Sequence, residues 1–488
     1  MNLMKNCMKR SMNFLFILVA LVLLLGACED FFDEKQGDQI FPDKHYQSET
    51  DASNSYLGCF TMLYEQMPNY IITTSLLADL AEITEKAGSD LVDINLHRSS
   101  ISNAYTDASG YYRVIISVNE ALKYLADIKN RDLDFDDFVY RAYYDAFLGL
   151  RTWAYFTLVR LYGEAAYIPD NMESIPENIT YLSREVMLDT LIIQLDSAFA
   201  GGDYTWLFPS NNLVALMGEL LLEKGYYAEA ADVLFASMRG TGIPYVSSSY
   251  RQAEWINIFK SSETNSNEVY TSVPYSRDNK QENQLYYWTS YQLDYLVRPT
   301  SLMIELYTKQ ISQNNNPTGD VYRGLGATYD VIDGHNVINK YLIDDAVPAS
   351  SDIIIKRVSD IHLLLAEALN LAGDHVNALD LVNGNNSYFD TYWRNGNGIR
   401  ERAYLKSYTI PAGITDTATF VEDIIMEERA MELAYEGKRW FDLMRVARRR
   451  GNDYLANKVA AKFSDPGVAD EIRNLLMDEN NWYLPYDK

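Results

Sequence analysis

The sequence predicts an all-α fold in which helix hairpins are joined by long irregular loops. Three observations support this prediction. Apolar residues recur at helical spacing in several stretches, capping residues and glycines mark helix ends, and one helix–turn–helix pattern occurs twice. The 488 residues are 48% hydrophobic, and we see no dividing linker rich in proline, glycine or serine. We therefore expect one compact unit that buries a large core.

The repeated pattern predicts two helix hairpins. Each copy has a small residue, a turn glycine and an alanine at the same offsets: Gly218, Gly225 and Ala230 in the first copy, Ala366, Gly373 and Ala378 in the second. This is the spacing of a tetratricopeptide hairpin, in which small residues let the two helices pack closely. Copies so far apart cannot form one tandem array. We expect either hairpins that the fold brings together or a solenoid with long insertions.

Three further helices are predicted in the first half of the chain. One presents Tyr112, Ile115, Ile116 and Leu122 on a face that Asn119 interrupts. Another runs from Leu148 to Leu161 and stops at a Tyr-Gly pair, residues 162–163. A third starts at Ser183, a favourable N-cap, and runs to about Phe199.

Near the C-terminus the sequence predicts a helix, a glycine stop and a second helix. An apolar stripe follows helical spacing and ends before Gly437; its members are Val421, Ile424, Ile425, Met431 and Tyr435. Glu428 falls within this stripe, and a carboxylate buried alone is costly. Arg439 follows the turn and is its expected partner. We interpret Glu428 and Arg439 as a structural ion pair rather than as catalytic residues.

The same region carries a family resemblance. Residues 428–445, ERAMELAYEGKRWFDLMR, closely resemble the C-terminal signature of the SusD/RagB family, nutrient-binding lipoproteins on the outer surface of Bacteroidetes-type bacteria. Other stretches resemble landmarks of that family in the same order: residues 57–60, 149–163, 298–301 and 482–486. The resemblance implies a SusD-like fold built on tetratricopeptide-like hairpins.

The chain departs from the family pattern after the helix that ends near Leu381. The family continues there with an Asn, an Arg and an Arg-Ala-Gly turn. This sequence continues with a loop rich in glycine and asparagine that carries four aromatic residues, including Tyr392 and Trp393. We expect the loop to be either an insertion packed on the core or a ligand-binding loop.

The N-terminus resembles a lipoprotein signal. Three cations, Lys5, Lys9 and Arg10, precede a mostly apolar stretch that is short for a membrane span of about 20 residues. Small residues then lead to Cys28, which we expect to be lipidated and to become the first residue of an outer-membrane lipoprotein. We predict a signal peptide at 1–27, an N-terminal SusD-like region at 28–240 and a C-terminal RagB/SusD region at 241–488.

Composition excludes several function classes. The formal net charge of −26 repels nucleic acid. The five histidines are scattered without metal-binding spacing, and the chain has neither a phosphate-binding glycine loop nor a nucleophile elbow. We therefore predict no catalytic residues, no metal and no cofactor. Paired carboxylates of a glycoside hydrolase leave no sequence motif, so hydrolysis stays an alternative.

Aromatic residues predict where a ligand binds. The chain has 38 tyrosines and seven tryptophans, side chains whose rings stack on sugar C–H faces and whose polar groups bond to hydroxyls. The densest run contains Tyr286, Tyr287, Trp288 and Tyr291. The resemblance implies a second contribution from the first half, where residues 90–105 carry Arg98 and Tyr105. The alternative is that these rings pack between helices or against a partner protein.

The resemblance implies a function for the whole chain. It would capture a nutrient at the cell surface and deliver it to a TonB-dependent, SusC-like transporter of the outer membrane that it covers. We expect an oligosaccharide as the ligand, with a peptide as the alternative because RagB-type relatives make peptides a serious rival. A glycoside hydrolase and a scaffold that binds proteins in its hairpin grooves are the other classes left open.

Overall fold

The protein is mostly helical, which confirms the predicted all-α class. The structure is a computed structural model that describes residues 45–169, 179–199, 213–240, 252–260, 268–343, 347–384 and 398–485. Within these ranges the helices are, in chain order, α1 to α18: Glu49–Thr61, Gln66–Leu77, Ser89–Asn95, Ser109–Arg131, Asp137–Tyr162, Arg184–Phe199, Leu213–Lys224, Tyr227–Gly240, Gln252–Asn257, Gln284–Thr289, Ser301–Thr308, Val358–Leu371, His375–Asn383, Ile399–Arg402, Thr417–Glu432, Arg439–Arg450, Asn452–Ala460 and Pro466–Leu476.

Short strands connect distant segments of the chain. In chain order, β1 to β8 are Ala81–Ile83, Glu164–Ala166, Tyr181–Ser183, Val269–Val273, Val297–Pro299, Tyr329–Ile332, His335–Ile338 and Ile353–Arg357. The described sheets are antiparallel pairs: β1 with β5, β2 with β3, β4 with β8 and β6 with β7. The β1–β5 pair aligns Glu82 with Arg298, whose side chains form an ion pair of 2.8 Å. This pair joins the two chain segments that carry the predicted ligand-binding rings.

The two predicted hairpins are α7–α8 and α12–α13, and they lie side by side because α8 packs against α12. The fold therefore brings together two hairpins that are far apart in sequence. Each hairpin turns at its predicted glycine, with φ of +88° at Gly225 and +95° at Gly373. A Cβ placed on Gly218 would lie 2.5 Å from Cγ of Leu234 on the partner helix. Close helix packing therefore requires glycine at position 218.

The helices predicted in the first half are also present. The helix expected from Leu148 to Leu161 is the second part of a longer helix, α5, which ends at the left-handed Gly163 (φ +79°). Asn119, which interrupts the apolar face of α4, accepts a hydrogen bond from Arg151 at 2.8 Å. Its amide also donates to the carbonyl of Ile168 at 3.2 Å. Pairing of both polar atoms explains how this face tolerates an amide.

The described core is largely continuous. One cluster of buried apolar side chains runs from Tyr46 to Leu484, and a smaller cluster surrounds Trp255. The predicted boundary between residues 240 and 241 lies beside residues 241–251, which are outside the described ranges. The predicted signal peptide and Cys28 lie outside them too. The division of the chain therefore stays a prediction.

The predicted corner near the C-terminus is formed by α15 and α16, but the predicted ion pair is wrong. Glu428 accepts hydrogen bonds from Arg323 at 2.6 Å and from Arg400 at 2.8 Å. Arg439 instead holds both carboxylate oxygens of Asp79, at 2.8 and 2.7 Å. Arg439 also donates to the carbonyl of Met426, two residues before Glu428 and so about 200° around the helix from it. The two predicted partners therefore lie on different sides of α15.

Glu428 belongs to a group of buried charges that we call the charge network. Its carboxylates and cations are equal in number: Asp320, Glu268, Glu428, Glu432 and Glu436 face Arg323, Lys340, Arg357, Arg400 and Arg402. All ten side chains are buried. Three of the acids are spaced four residues apart, at 428, 432 and 436, while their cations come from segments far away in sequence. The network therefore ties the end of α15 to β8, to α14 and to the segments that carry Arg323 and Lys340.

Electrostatic pairing decides the ionisation of these groups. Burial alone would raise the pKa of the Glu432 carboxyl, but the guanidinium groups of Arg357, Arg402 and Arg323 outweigh burial and lower that pKa below its ordinary value. Arg357 donates to Glu432 and Glu436, with N–O distances of 2.8 Å to each. A buried charge is tolerated only with such partners, so removing one member leaves another unpaired.

The first prediction compares two helical glycines. Gly218→Ala should destabilise the protein by about 1–3 kcal/mol, because the new methyl group overlaps the buried Leu234 side chain. Gly58→Ala in α1 is the matched control, since no heavy atom lies within 4 Å of a Cβ placed there. That change should stabilise α1 by about 0.5–1 kcal/mol through helix propensity. Urea denaturation measures both values, and a Gly218→Ala protein as stable as the parent would contradict the close packing.

The second prediction concerns the charge network. Glu428→Ala should destabilise the protein by about 3–5 kcal/mol, because Arg323 and Arg400 lose a buried carboxylate. The adjacent Glu427→Ala is the control. Glu427 pairs with Lys309 at 3.1 Å, but both side chains are more than a third exposed, so its loss should cost less than about 1 kcal/mol. Equal shifts of the denaturation midpoint in the two variants would show that burial does not set the cost.

Candidate ligand-binding surface

The densest aromatic run is held in place by a short, well-anchored helix, α10. Asn283 caps this helix by accepting a hydrogen bond from the Leu285 amide at 3.0 Å. Its side-chain amide donates to the Ser351 carbonyl at 2.8 Å. Leu285 and Thr289 are buried, whereas the neighbouring Trp288 is only partly buried. The helix therefore has a fixed inner side, and its aromatic residues stand at the boundary with solvent.

Tyr105 and Trp288 meet in the structure although 182 residues separate them in sequence. Their ring centroids are 5.7 Å apart with an interplanar angle of 72°, an edge-to-face contact. The loop that carries Tyr105 is fixed by Asn103, whose amide donates to the Asp90 carbonyl at 2.8 Å and whose oxygen accepts from the Tyr105 amide at 3.0 Å. The two segments predicted to contribute ligand aromatics are therefore brought together.

Burial raises the pKa of the Tyr105 hydroxyl, and the carboxylates of Asp90 and Asp294 raise it further. The phenol is thus held in its neutral form, in which it both donates and accepts hydrogen bonds. Asp294 is exposed. A polar group that can accept hydrogen bonds from a ligand therefore lies near this ring pair.

Tyr291 forms a second group of rings beside the first. His335 stacks on it with a centroid distance of 4.1 Å and an interplanar angle of 15°. The Lys86 ammonium lies 5.8 Å from the Tyr291 ring and donates to the Leu293 carbonyl at 3.2 Å. These contacts occupy part of the Tyr291 ring and fix its orientation.

Tyr286 and Tyr287 extend the row of rings. Their centroids are 5.4 Å apart in an edge-to-face contact. The Tyr287 hydroxyl donates to the Glu282 carboxylate at 2.7 Å, and this hydrogen bond, together with burial, raises the pKa of the hydroxyl. We use the name aromatic surface for the five partly buried rings of Tyr105, Tyr286, Tyr287, Trp288 and Tyr291.

The remaining predicted ligand residues do not join this surface in the described structure. Arg98 is exposed on the loop after α3, and no hydrogen bond or ring contact links its side chain to the five rings among the described residues. Tyr392 and Trp393 lie outside the described ranges, so their predicted contribution stays untested. The predicted lipid site, Cys28, lies outside them as well.

Sequence reasoning missed a cleft of about 580 Å³ between α11, α15, α16 and α17. Its lining includes three ion pairs: Asp79 with Arg439, Glu427 with Lys309, and Asp423 with Arg450. Tyr454 also lines it, and burial raises the pKa of that tyrosine to about 12. The lining residues come from separate segments with no shared motif, so no sequence signal marked them. The volume suits a small ligand.

The two sites offer different chemistry. Much of the cleft wall consists of charges that already pair with one another, so a ligand there competes with ion pairs. The aromatic surface presents partly exposed rings bordered by hydroxyl and carboxylate groups, which suits an apolar sugar face and its hydroxyls. Within the described ranges, no group of three or more His, Cys, Asp and Glu residues is arranged to hold a metal ion. Burial raises the pKa of the Cys59 thiol to about 12, so this thiol is a poor nucleophile.

No helix in the described part of the chain is long and apolar enough to cross a membrane.

Comparisons with known proteins agree on one family. A sequence model of the SusD family matches residues 231–488, more than half of the chain. SusD-like protein P38 of Formosa agariphila is 24% identical over 493 aligned positions, which cover 90% of this chain and 92% of that protein.

Solved structures show the same fold. A SusD superfamily protein from Bacteroides vulgatus superposes with a TM-score of 0.70 at 18% identity and covers 90% of this chain and 95% of its own. A structure described as a SusD-like carbohydrate binding protein from Bacteroides fragilis gives a TM-score of 0.61 at 16% identity, covering 84% and 88%.

Proposed function

The chain belongs to the SusD family, and we propose that it binds a nutrient oligosaccharide at the cell surface and delivers it to a TonB-dependent, SusC-like transporter. The observation that carries this proposal is the meeting of Tyr105 and Trp288 at the aromatic surface. Two segments from different halves of the chain supply rings to one partly exposed site. The carbohydrate-binding description of the Bacteroides fragilis structure supports the choice of ligand.

Sugar recognition follows from the chemistry of this surface. The indole of Trp288 offers a large apolar face, and stacking on it suits the C–H face of a pyranose ring. The hydroxyls of Tyr105 and Tyr286 supply hydrogen-bond donors and acceptors that suit the hydroxyls of a sugar. Hydrogen bonds already hold the segments that carry Tyr105 and Trp288. Binding therefore orders few protein side chains, and the entropic cost of binding is lower.

A peptide is the second candidate ligand, and the cleft favours it. Its lining carries charges of both signs, including Glu305, Asp453 and Lys458 beside the three ion pairs. Peptide termini and charged side chains suit such walls better than neutral sugars do. In the proposed role the chain binds its ligand without turnover. A hydrolase would instead release products from the ligand.

The proposal places the chain at the outer membrane through a lipid on Cys28. The signal-like N-terminus and the SusD family membership support this placement. A single acyl chain gives only marginal membrane binding, so the several chains of a lipoprotein would be needed to retain the protein.

The third prediction tests ligand class and site together. By calorimetry, a neutral oligosaccharide should bind without turnover, and Trp288→Ala should weaken it about tenfold to a hundredfold, or roughly 1.4–2.7 kcal/mol. Trp288→Phe is the matched control because it keeps a stacking ring, so it should retain most of the affinity.

Three results would change this assignment. Binding of short peptides but of no glycan would make the chain a peptide-binding protein. Hydrolysis products, detected by mass and lost when a carboxylate is mutated, would make it an enzyme. Glycan binding that Trp288→Ala leaves unchanged would move the site away from the aromatic surface.

The fourth prediction tests the anchor. Cys28→Ala should release the protein from the membrane fraction and abolish labelling by an alkynyl fatty acid. Cys59→Ala is the control, because Cys59 is a buried thiol within α1 and should not affect labelling. Equal labelling of the Cys28→Ala variant and the parent would reject lipidation at this cysteine.

A further inference from the structure

A second pair of partly exposed aromatic rings is formed by residues outside the aromatic surface. The centroids of Tyr322 and Tyr404 are 6.3 Å apart with an interplanar angle of 44°. Tyr404 is 38% exposed. Neither tyrosine belongs to the aromatic surface or lines the cleft. The function proposed above does not use them.

The backbone around Tyr404 is firmly held. The segment after α11 pairs with the segment after α14 through an isolated bridge between Ser312 and Leu405. The Gln313 amide donates to the Tyr404 carbonyl at 3.0 Å, and the Lys406 amide donates to the Ile311 carbonyl at 2.9 Å. These bonds make a rigid base for the ring.

The charge network also holds the two chain segments that carry these rings. Tyr322 directly precedes Arg323, and Tyr404 lies two residues after Arg402; both arginines are buried in the network. Each guanidinium is bonded to Glu432, at 2.8 Å from Arg323 and at 2.9 Å from Arg402. The two tyrosines therefore stand on chain segments that share one buried carboxylate.

The backbone of Tyr404 is strained. Its φ of +57° lies in the left-handed region, which costs a residue other than glycine about 1–2 kcal/mol. Burial of the ring does not explain the use of tyrosine here, because more than a third of the side chain is exposed. Strain kept at an exposed position points to a function for the ring itself.

The neighbouring side chains indicate what the ring pair contacts. Residues 311–319, ISQNNNPTG, carry no charge, although the chain as a whole has a net charge of −26. The amides of Gln313, Asn314, Asn315 and Asn316 are exposed, and the Asn314 amide donates to the Tyr404 hydroxyl at 2.8 Å. Side-chain amides both donate to and accept from hydroxyls, and tyrosine rings stack on sugar faces.

We propose that Tyr322, Tyr404 and Asn314 form a second contact site for a neutral saccharide chain, separate from the aromatic surface. This inference rests on the proposed saccharide-binding function. A ligand long enough to touch both sites would bind more tightly than a short one, because the second contact becomes intramolecular. Val321 and Leu325 are exposed within three residues of Tyr322 in sequence and would suit a protein partner, but the uncharged amides and the two rings favour a saccharide.

Affinity electrophoresis of the full chain tests this site in gels that contain starch, laminarin, dextran, galactomannan or xyloglucan. Tyr404→Gly removes the ring and relieves the backbone strain, so the variant should keep or raise its thermal midpoint. Tyr322→Ala removes the other ring. For a polysaccharide that retards the parent, both variants should show about a tenfold higher dissociation constant. Tyr226→Ala is the control, since Tyr226 is 49% exposed in the α7–α8 turn. This variant should bind the polysaccharide as the parent does.

The outcomes separate the two claims. If none of the five polysaccharides retards the parent, the proposed function and this inference both fall. If a polysaccharide retards both tyrosine variants as much as it retards the parent, the inference alone is wrong. If Tyr404→Gly binds more weakly and has a lower thermal midpoint while Tyr322→Ala binds normally, the Tyr404 ring has a structural role. That result also overturns the inference. Normal polysaccharide binding by both variants, with loss of co-purification with an outer-membrane partner, would make the patch a protein interface instead.

Discussion

The need to pair every buried charge at the end of α15 determines much of the second half of the molecule. The last part of α15 carries Glu428 and Glu432, and the turn after it carries Glu436. Each of these carboxylates is bonded to cations that other segments supply. Because an unpaired buried ion costs several kcal/mol, the loop that carries Arg323 and the segment that carries Arg402 must both return to α15. The network thus constrains how these segments are arranged around the end of α15, because each buried charge must reach its partner.

Features that depend on local pattern were predictable from the sequence, whereas pairings across the chain were not. Gly225 and Gly373 marked their turns because only a few residues around each glycine set the left-handed conformation. Glu428 was recognisable as a buried charge from its place in an apolar stripe. Its partners were not, because Arg323 lies 105 positions away and no periodicity relates the two. The predicted partner, Arg439, lies just past the turn in sequence but pairs with Asp79, which is 360 positions away. Sequence proximity was therefore the wrong guide to pairing.

The same distinction applies to the candidate site. Aromatic density identified the segment with Trp288 and the family resemblance implied the segment with Tyr105, but the contact of the two rings depends on the pairing of β1 with β5 and on the capping of α10 by Asn283. The sequence could not separate these rings from Arg98, which is exposed on the same loop as Tyr105 and has no described contact with them. The cleft was invisible for a different reason. Its walls combine charged, polar and apolar residues from four helices and the segments beside them, which form a concavity only when the helices are assembled.

Rigidity links the charge network to recognition. A flexible sugar chain loses conformational freedom when it binds, so the protein gains most by presenting rings that need no further ordering. At the aromatic surface, Asn283 fixes α10 to the segment just before β8, and Arg357 at the end of β8 is a member of the network. At the Tyr322–Tyr404 pair, the members Arg323 and Arg402 lie within two residues of the rings. Both sets of rings are therefore connected to the same buried charges by short stretches of ordered chain. The charges that make the interior costly to assemble therefore also anchor the chain segments that carry the exposed rings of both proposed sites.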